Sequence, residues 1–204
     1  MKALHQYQDI FSLGSSCQAA YQLRRMKLRR EAGPLDWFIS SSVPGLVKLL
    51  QLRFHGFMEL SSMQLIGRAH RHYVIRDTVY TIDSYHDFPF TQPEGEWQRT
   101  HDEFKRKIDR RSERLIQALE QSPSLLLVRT QMTKEQAAAL QQALHSLIRT
   151  PDYLLLAVNT HEDPSRRDTV PESWGLDHVA AVTLPKGADW RGSDAAWSAL
   201  FQVP

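Results

Sequence analysis

Cys17 is the only cysteine in the chain, and its place in the sequence favours nucleophilic chemistry. It follows the apolar segment DIFSL and then Gly14, Ser15 and Ser16. This order predicts a strand, a turn, and a helix that begins near the thiol and is capped by Ser15 or Ser16. A helix N-terminus lowers the pKa of a thiol, because its free N–H groups and its dipole favour the thiolate. The same N–H groups, at residues 16 to 18, would stabilise the oxyanion of a tetrahedral intermediate.

The helix alone is too weak to ionise the thiol, since about 1 kcal/mol moves a pKa by less than one unit. A neighbouring imidazolium is therefore needed before the thiolate becomes the major form. The alternative is an inert, buried Cys17, because free cysteines are among the most buried residues of proteins.

His86 is the candidate base among nine histidines, because it follows a β-rich segment and precedes a proline-containing loop. Asp87 is its neighbour, but adjacent side chains of an extended segment point to opposite faces. Asp87, Asp83 and Asp36 are therefore all candidates for the carboxylate that orients the imidazole.

A second set of residues is suited to binding an anion. Backbone N–H groups at a helix start bind phosphate, and arginine donates paired hydrogen bonds to oxyanions. Beside them, an aromatic ring would form an apolar wall. The predicted ligand-binding residues are Ser15, Ser16, Trp37, Arg106, Arg110 and Arg129. They favour a binding module or a transferase for a sugar phosphate or nucleotide, in which the thiol would be incidental.

Lysine and arginine are concentrated in two stretches, residues 24–30 and 105–114. Each stretch could hold a phosphate or a carboxylate, although a solvated helix face is the more common role of such a cluster. The net charge of +2 is too small to indicate a nucleic-acid partner.

Motifs for cofactor or metal chemistry are missing from the sequence. It has no GxxxxGK[ST], GxGxxG, HExxH or CxxC pattern, and His70 with His72 is a weak metal-ligand pair that we expect in an exposed hairpin. We therefore predict no cofactor and no metal. A single cysteine, no apolar leader and no apolar run approaching about 18 residues predict a cytoplasmic protein without a membrane partner.

The elements that position these residues alternate along the chain. Continuous apolar strands are predicted at 9–13, 124–129, 153–159 and 178–184. Helices are predicted at 17–28 and after a cap at Ser41 or Ser42. Two more helices are predicted to begin at capping boxes, one at Thr100-x-x-Glu103 and one at Thr133-x-x-Gln136 that continues to 148. Such alternation is typical of a parallel sheet covered on both faces. It predicts an α/β fold, a three-layer sandwich forming a single domain over residues 1–204.

Shorter segments complete this expectation. The β-rich runs 72–75 and 78–82 flank Arg76-Asp77 and predict a small β-hairpin. Residues 88–95 and 166–171 are predicted to be loops, because prolines or polar side chains dominate them.

The segment FSLGSSCQAAYQLRR, followed by GPLDWF, is similar to the signature of a bacterial family of domains of unknown function that is named after papain-like cysteine peptidases. That signature resembles SLGxxCxxAxxL followed by a Pro-x-Asp-Trp element. An HDF sequence at 86–88, the arginine-rich segment 105–114 and a Val-Arg pair at 128–129 also match. Since the ending at 189–201 is similar too, the resemblance covers nearly the whole chain.

The resemblance implies a thiol nucleophile at Cys17, an imidazole base at His86, and an acidic third residue at Asp87 or Asp36. Leu35 stands where the family usually has phenylalanine, which is a conservative change. A papain-like α+β fold is the alternative that the family name implies. Because Cys–His sites occur on unrelated folds, the alternating elements and the catalytic residues need not conflict.

The leading hypothesis is a cysteine-dependent hydrolase or acyltransferase that acts on a peptide, amide or ester. In this hypothesis Cys17 attacks a carbonyl, His86 accepts and returns the proton, and a carboxylate holds the ring. The alternative is the anion-binding module or transferase, whose small-molecule ligand would be anionic.

Overall fold

Two β-sheets organise the chain, one with five mostly parallel strands and one with four antiparallel strands. The computed structural model describes residues 3–90 and 96–202. The strands in these ranges are β1 (Asp9–Ser12), β2 (Phe38–Ile39), β3 (Met63–Ala69), β4 (His72–Asp77), β5 (Ile82–Pro89), β6 (Leu125–Thr130), β7 (Tyr153–Thr160), β8 (Val170–Glu172) and β9 (Val179–Leu184). The α-helices are α1 (Gln18–Arg25), α2 (Val43–Gln51), α3 (His101–Gln121), α4 (Lys134–Leu147) and α5 (Asp194–Phe201).

The five-stranded sheet has the order β1-β6-β7-β9-β8. The first four of these strands pair in parallel, and β8 runs antiparallel to β9. The four continuous apolar strands of the prediction correspond to β1, β6, β7 and β9. The loop predicted at 166–171 overlaps β8, a three-residue edge strand that begins at Val170.

Both faces of the parallel sheet are covered. Leu125 and Leu127 of β6 pack in a large core with α2, α3, α4 and the antiparallel sheet. Leu126 and Val128 face the opposite way and pack with α1 and α5. Alternate side chains of a strand point to opposite faces, so two covered faces require an unbroken apolar run. The predicted α/β sandwich is confirmed, and the papain-like α+β alternative does not describe this parallel sheet.

The antiparallel sheet, of order β2-β5-β4-β3, is larger than the predicted hairpin. β4 and β5 form that hairpin, but its turn lies at 78–81 because β4 continues through Asp77. The Asp77 carboxylate accepts hydrogen bonds from the backbone N–H groups of Val79 and Tyr80. These bonds close a turn that begins two residues after the predicted turn at Arg76-Asp77.

β5 also extends beyond its predicted end. It reaches Pro89, so the start of the loop predicted at 88–95 is strand. Residues 91–95 of that loop lie outside the described residues.

A bulge interrupts β5 next to the predicted base. Ile75 pairs with Ser84 and Tyr73 pairs with Phe88, so one residue of β4 stands opposite three residues of β5, Tyr85–Asp87. Extra residues in one strand break the alternation of side chains and re-aim them. The bulge thereby changes the direction in which the His-Asp pair is presented.

The predicted capping motifs have different outcomes. Thr133 and Gln136 form the expected capping box at the start of α4, and Ser42 caps α2 by accepting a hydrogen bond from the N–H of Gly45. The capping box predicted at Thr100 is wrong. Thr100 ends a 3₁₀ turn (Trp97–Thr100), and its hydroxyl donates to the carbonyl of Trp97 instead of capping α3.

Arg129, at the end of β6, ties the two sheets together. Its side chain is fully buried. One guanidinium nitrogen donates to the carbonyl of Leu13 at 2.7 Å and to Ser40 Oγ at 3.1 Å, and the other donates to the carbonyl of Ser40 at 2.5 Å. Leu13 follows β1 and Ser40 follows β2, so a single side chain fixes the end of one sheet against the other.

The helices carry no sign of a membrane span. Within residues 3–90 and 96–202, none combines the length and apolar character that crossing a bilayer requires.

Replacing Arg129 with methionine should lower the free energy of unfolding by about 2–5 kcal/mol, because buried carbonyl groups at Leu13 and Ser40 lose their donors. Urea denaturation followed by circular dichroism measures this. Arg149→Met, at an exposed position, is the matched control and should stay within about 0.5 kcal/mol of the wild type. An Arg129→Met chain as stable as the control would contradict this role.

Candidate active site

Cys17 lies at the carboxyl end of the parallel sheet. β1 ends at Ser12, and Cys17 is the N-cap residue of α1, which begins at Gln18. Ligands of open α/β sheets bind beyond this edge. The predicted strand–turn–helix setting of the thiol is present. The N-cap residue Cys17 makes no capping bond with its side chain, but Ser16 Oγ accepts a hydrogen bond of 3.4 Å from the N–H of Gln18. The helix ends at Arg25 instead of residue 28.

The turn before Cys17 has a constrained backbone. Gly14 has φ +75° and Ser15 has φ +27°, and residues other than glycine rarely adopt positive φ values. A Cβ on Gly14 would lie 2.5 Å from Ser40 Oγ and would require a strained positive φ, so this position favours glycine. Ser15 Oγ shares a hydrogen bond of 3.1 Å with Thr130 Oγ1, which fastens the turn to the end of β6. The thiol is therefore presented from a rigid elbow.

The Cys17 thiol is protonated at neutral pH. It is 7% exposed, and burial together with the nearby negative charge of Asp87 raises its pKa to about 11. The lowered pKa expected from the helix N-terminus is wrong for this structure. Loss of hydration outweighs a helix contribution of about 1 kcal/mol, and burial is not visible in a short sequence motif.

Asp87 connects the candidate catalytic groups. Its Oδ1 accepts a hydrogen bond of 2.6 Å from Lys107 Nζ, and its Oδ2 accepts one of 2.8 Å from Ser84 Oγ. Its negative charge also acts on Cys17 and on His86, raising the pKa of each. Asp87 is thus held by a lysine and a serine, while its field reaches both the thiol and the imidazole.

His86 lies on the exposed side of β5, edge-on to two other rings. Its ring centroid is 6.5 Å from that of Trp37 and 6.1 Å from that of His72. Burial and the charge of His72 lower the pKa of His86, so the imidazole is neutral at pH 7 and able to accept a proton. Among the described residues, no hydrogen bond joins this imidazole to Cys17 or to a carboxylate.

Three histidines lie near one another on the antiparallel sheet. The ring of His72 contacts that of His86, and the charge of His70 also acts on His86. In the part of the chain that the structure describes, no group of three or more histidine, cysteine, aspartate or glutamate side chains is arranged to hold a metal ion. The effect of His70 and His72 on the site is electrostatic, because both favour the neutral form of His86.

Arginines hold the other two candidate carboxylates. Asp36 is 1% exposed, forms an ion pair with Arg29 and accepts a hydrogen bond of 2.9 Å from the N–H of Gly33. Asp83 accepts two hydrogen bonds from Arg76, of 2.7 and 2.8 Å. Neither carboxylate bonds to the candidate base within the described ranges, and that of Asp36 fixes the loop before β2.

The residues predicted to hold an anion are dispersed. Arg106 and Arg110 are exposed, one turn apart on α3. Arg129 is enclosed in the core and donates to backbone and serine oxygens, so the ligand contact predicted for it is wrong. Ser15 and Ser16 hydrogen-bond the end of β6 through their hydroxyl groups.

Trp37 does lie at the site, beside basic residues that the sequence analysis did not select. The guanidinium carbons of Arg24 and Arg29 are 5.2 and 5.6 Å from the centroid of its ring. Lys107, which binds Asp87, belongs to the same neighbourhood. The two basic stretches of the sequence contained this signal, but composition alone does not show which members of a stretch face inward.

The chain belongs to the family described as "Putative papain-like cysteine peptidase (DUF1796)", which it matches over residues 8–154. The match includes Cys17 and His86, so the resemblance inferred from the sequence is confirmed and supports a cysteine hydrolase in general terms. No solved structure matches the chain.

A viral protein is also similar to the chain. "Uncharacterized protein R408" of Acanthamoeba polyphaga mimivirus is 29% identical over 134 residues, which cover 58% of this chain and 59% of that protein. The chain therefore spans less than two thirds of this relative. Because the relative is viral, the bacterial origin expected for the family is not confirmed.

Replacing Asp87 with asparagine should lower the pKa of Cys17, because a nearby negative charge is removed while Lys107 keeps its positive charge. Alkylation by iodoacetamide at pH 8 should then accelerate by up to about tenfold, the factor that one pKa unit gives. Mass spectrometry of the Cys17 peptide measures the rate.

The matched control is Asp109→Asn on α3, which removes an equal charge that is paired with Lys105. It should leave the alkylation rate near that of the wild type. An Asp87→Asn chain that reacts no faster than this control would show that Asp87 does not govern the thiol.

Proposed function

We propose that the protein is a cysteine-dependent hydrolase in which Cys17 Sγ is the nucleophile and His86 is the general base. One observation carries the proposal: the carboxylate of Asp87 acts electrostatically on both the thiol and the imidazole. The same negative charge thus acts on the proposed nucleophile and on the proposed base. Membership of a family named after papain-like peptidases supports the same chemistry.

The reaction begins from two neutral groups. Burial raises the pKa of Cys17 to about 11 and lowers that of His86, so a thiol faces a neutral imidazole in place of a preformed ion pair. As Sγ bonds to the carbonyl carbon, the S–H proton passes to the imidazole. The charge of Asp87 then stabilises the imidazolium that has formed.

The second half of the reaction returns that proton. The imidazolium protonates the leaving group as its bond to the carbonyl carbon breaks, which leaves a thioester on Cys17. Water, deprotonated by the now neutral His86, hydrolyses the thioester and regenerates the thiol. If an amine or alcohol attacked the same thioester in place of water, the acyl group would be transferred to it and the protein would act as an acyltransferase.

Backbone N–H groups at residues 16 to 18 are the proposed oxyanion donors. The first N–H groups of any helix lack partners within the helix, and α1 begins at Gln18, whose N–H makes a long bond of 3.4 Å to Ser16 Oγ that an oxyanion would replace. Because Cys17 belongs to the same turn, an oxyanion formed on the attacked carbonyl lies beside these groups. The rigid elbow at Gly14 and Ser15 keeps the donors in place before substrate binds.

Cys17→Ala should abolish hydrolysis of p-nitrophenyl acetate above the uncatalysed rate, and His86→Gln should lower kcat/KM by about a hundredfold, the lower range for loss of a general base. Release of p-nitrophenol measures both. His145→Gln, on the exposed face of α4, is the control and should retain wild-type activity. Equal turnover by wild-type and Cys17→Ala proteins would rule out a thiol nucleophile.

The pH dependence should report the lowered pKa of His86. Because neutral imidazole is the active form, kcat/KM should fall only as pH decreases through a value below 6.5. Replacing His72 with glutamine removes a charge that lowers this pKa, so the acid limb should move toward higher pH. The pH profile of p-nitrophenyl acetate hydrolysis measures this shift, and an unmoved acid limb would contradict the assignment of His86.

A further inference from the structure

Four basic side chains lie near Trp37 and Asp87, and we name them the basic cluster: Arg24, Arg29, Lys107 and Arg111. Arg24 and Arg29 both lie against the indole ring, at 5.2 and 5.6 Å from its centroid. The Arg29 side chain is 9% exposed, so its guanidinium is enclosed. Trp37 thus holds two like charges close together.

Arg24 reaches this position from the same helix face as the thiol. It lies seven residues after Cys17, which is two turns of α1, and residues at that spacing share a face. Its side chain is exposed, so a molecule that enters from solvent can contact it.

Arg111 approaches the same place from α3. Lys107, one turn earlier, binds Asp87. Arg114, three residues later, donates to the carbonyl of Ala32 at 3.2 Å, within the loop that follows Arg29. Because i, i+3 and i, i+4 residues share a helix face, Arg111 is bracketed by two side chains that contact the site and its loop. Its positive charge is close enough to contribute to the lowered pKa of Arg29.

The charges of the basic cluster are only partly compensated. Asp36 pairs with Arg29 and Asp87 pairs with Lys107. Among the described residues, no carboxylate lies within 4.0 Å of the guanidinium nitrogens of Arg24 or Arg111. Repulsion from these two arginines adds to burial and lowers the pKa of Arg29 to about 10. An anion placed between them would relieve that repulsion.

We propose that Arg24 and Arg111 form a subsite for an anionic oxygen group of the substrate, with Trp37 as its apolar wall. The inference rests on the proposed function, because the subsite would hold a substrate whose reacting carbonyl lies at Cys17. Guanidinium groups bind the paired oxygens of phosphate and of carboxylate alike. The structure therefore points to a phosphorylated or carboxylated acyl substrate, bound by residues other than Arg106, Arg110 and Arg129.

Binding of simple anions tests the subsite independently of catalysis. Inorganic phosphate and acetate are added separately, at ionic strength held constant with sodium chloride, and the thermal midpoint of unfolding is measured. An anion that binds the folded state raises this midpoint. A larger shift with phosphate identifies a phosphorylated substrate, and a larger shift with acetate identifies a carboxylated one.

The double variant Arg24→Gln/Arg111→Gln should weaken the preferred anion about tenfold, which corresponds to 1.4 kcal/mol. The matched control is Arg53→Gln/Arg149→Gln, which removes two exposed arginines near the far end of α3, where Arg53 pairs with Glu120. It should bind like the wild type. If neither anion raises the midpoint, or if both double variants bind equally well, the subsite is overturned.

Alkylation of Cys17 separates failure of the subsite from failure of the nucleophile. Iodoacetate is an anion and iodoacetamide is its neutral analogue, so the ratio of their rates reports positive charge beside the thiol. The ratio should fall about tenfold in Arg24→Gln/Arg111→Gln and stay constant in the control. An unchanged ratio counts against the subsite. A thiol inert to both reagents counts against the proposed nucleophile, and anion binding then decides the subsite alone.

Discussion

The buried guanidinium of Arg129 is the contact on which the arrangement of the site depends. It bonds to the carbonyl of Leu13, where β1 runs into the Cys17 turn, and to Ser40, at the end of the segment that carries Trp37. Burial lowers the pKa of Arg129 to about 10, so the group still carries its charge at neutral pH. The core tolerates that charge because backbone oxygens of two sheets converge on it.

Burial favours the uncharged forms of the two proposed catalytic groups. Desolvation disfavours the thiolate and the imidazolium alike, so Cys17 and His86 both remain neutral at rest. The charges nearest to them include that of Asp87, which Lys107 of the basic cluster binds. A reaction that creates charge at the attacked carbonyl would therefore proceed among charges that the fold already holds in place.

Local patterns predicted the elements, but the site depends on contacts between distant segments. Apolar runs and the Thr133 capping box predicted the strands of the parallel sheet and the helix α4. Composition did not predict the bulge at Tyr85–Asp87, because a bulge is defined by the partner strand. The sequence also did not predict the raised pKa of Cys17 or the structural role of Arg129, because both follow from packing against residues that are distant in sequence.

The parallel pairing of β1 with β6 has a kinetic consequence. Leu13 and Arg129, which meet where these strands end, are separated by 116 residues, and the whole antiparallel sheet is inserted between them. Closing so long a loop is entropically costly and slow compared with forming a hairpin such as β4 with β5. During synthesis the elbow that presents Cys17 lacks its hydrogen bond to Thr130, and Leu13 lacks its bond to Arg129, until β6 has emerged from the ribosome. The elbow around this sulfur is therefore completed late in folding.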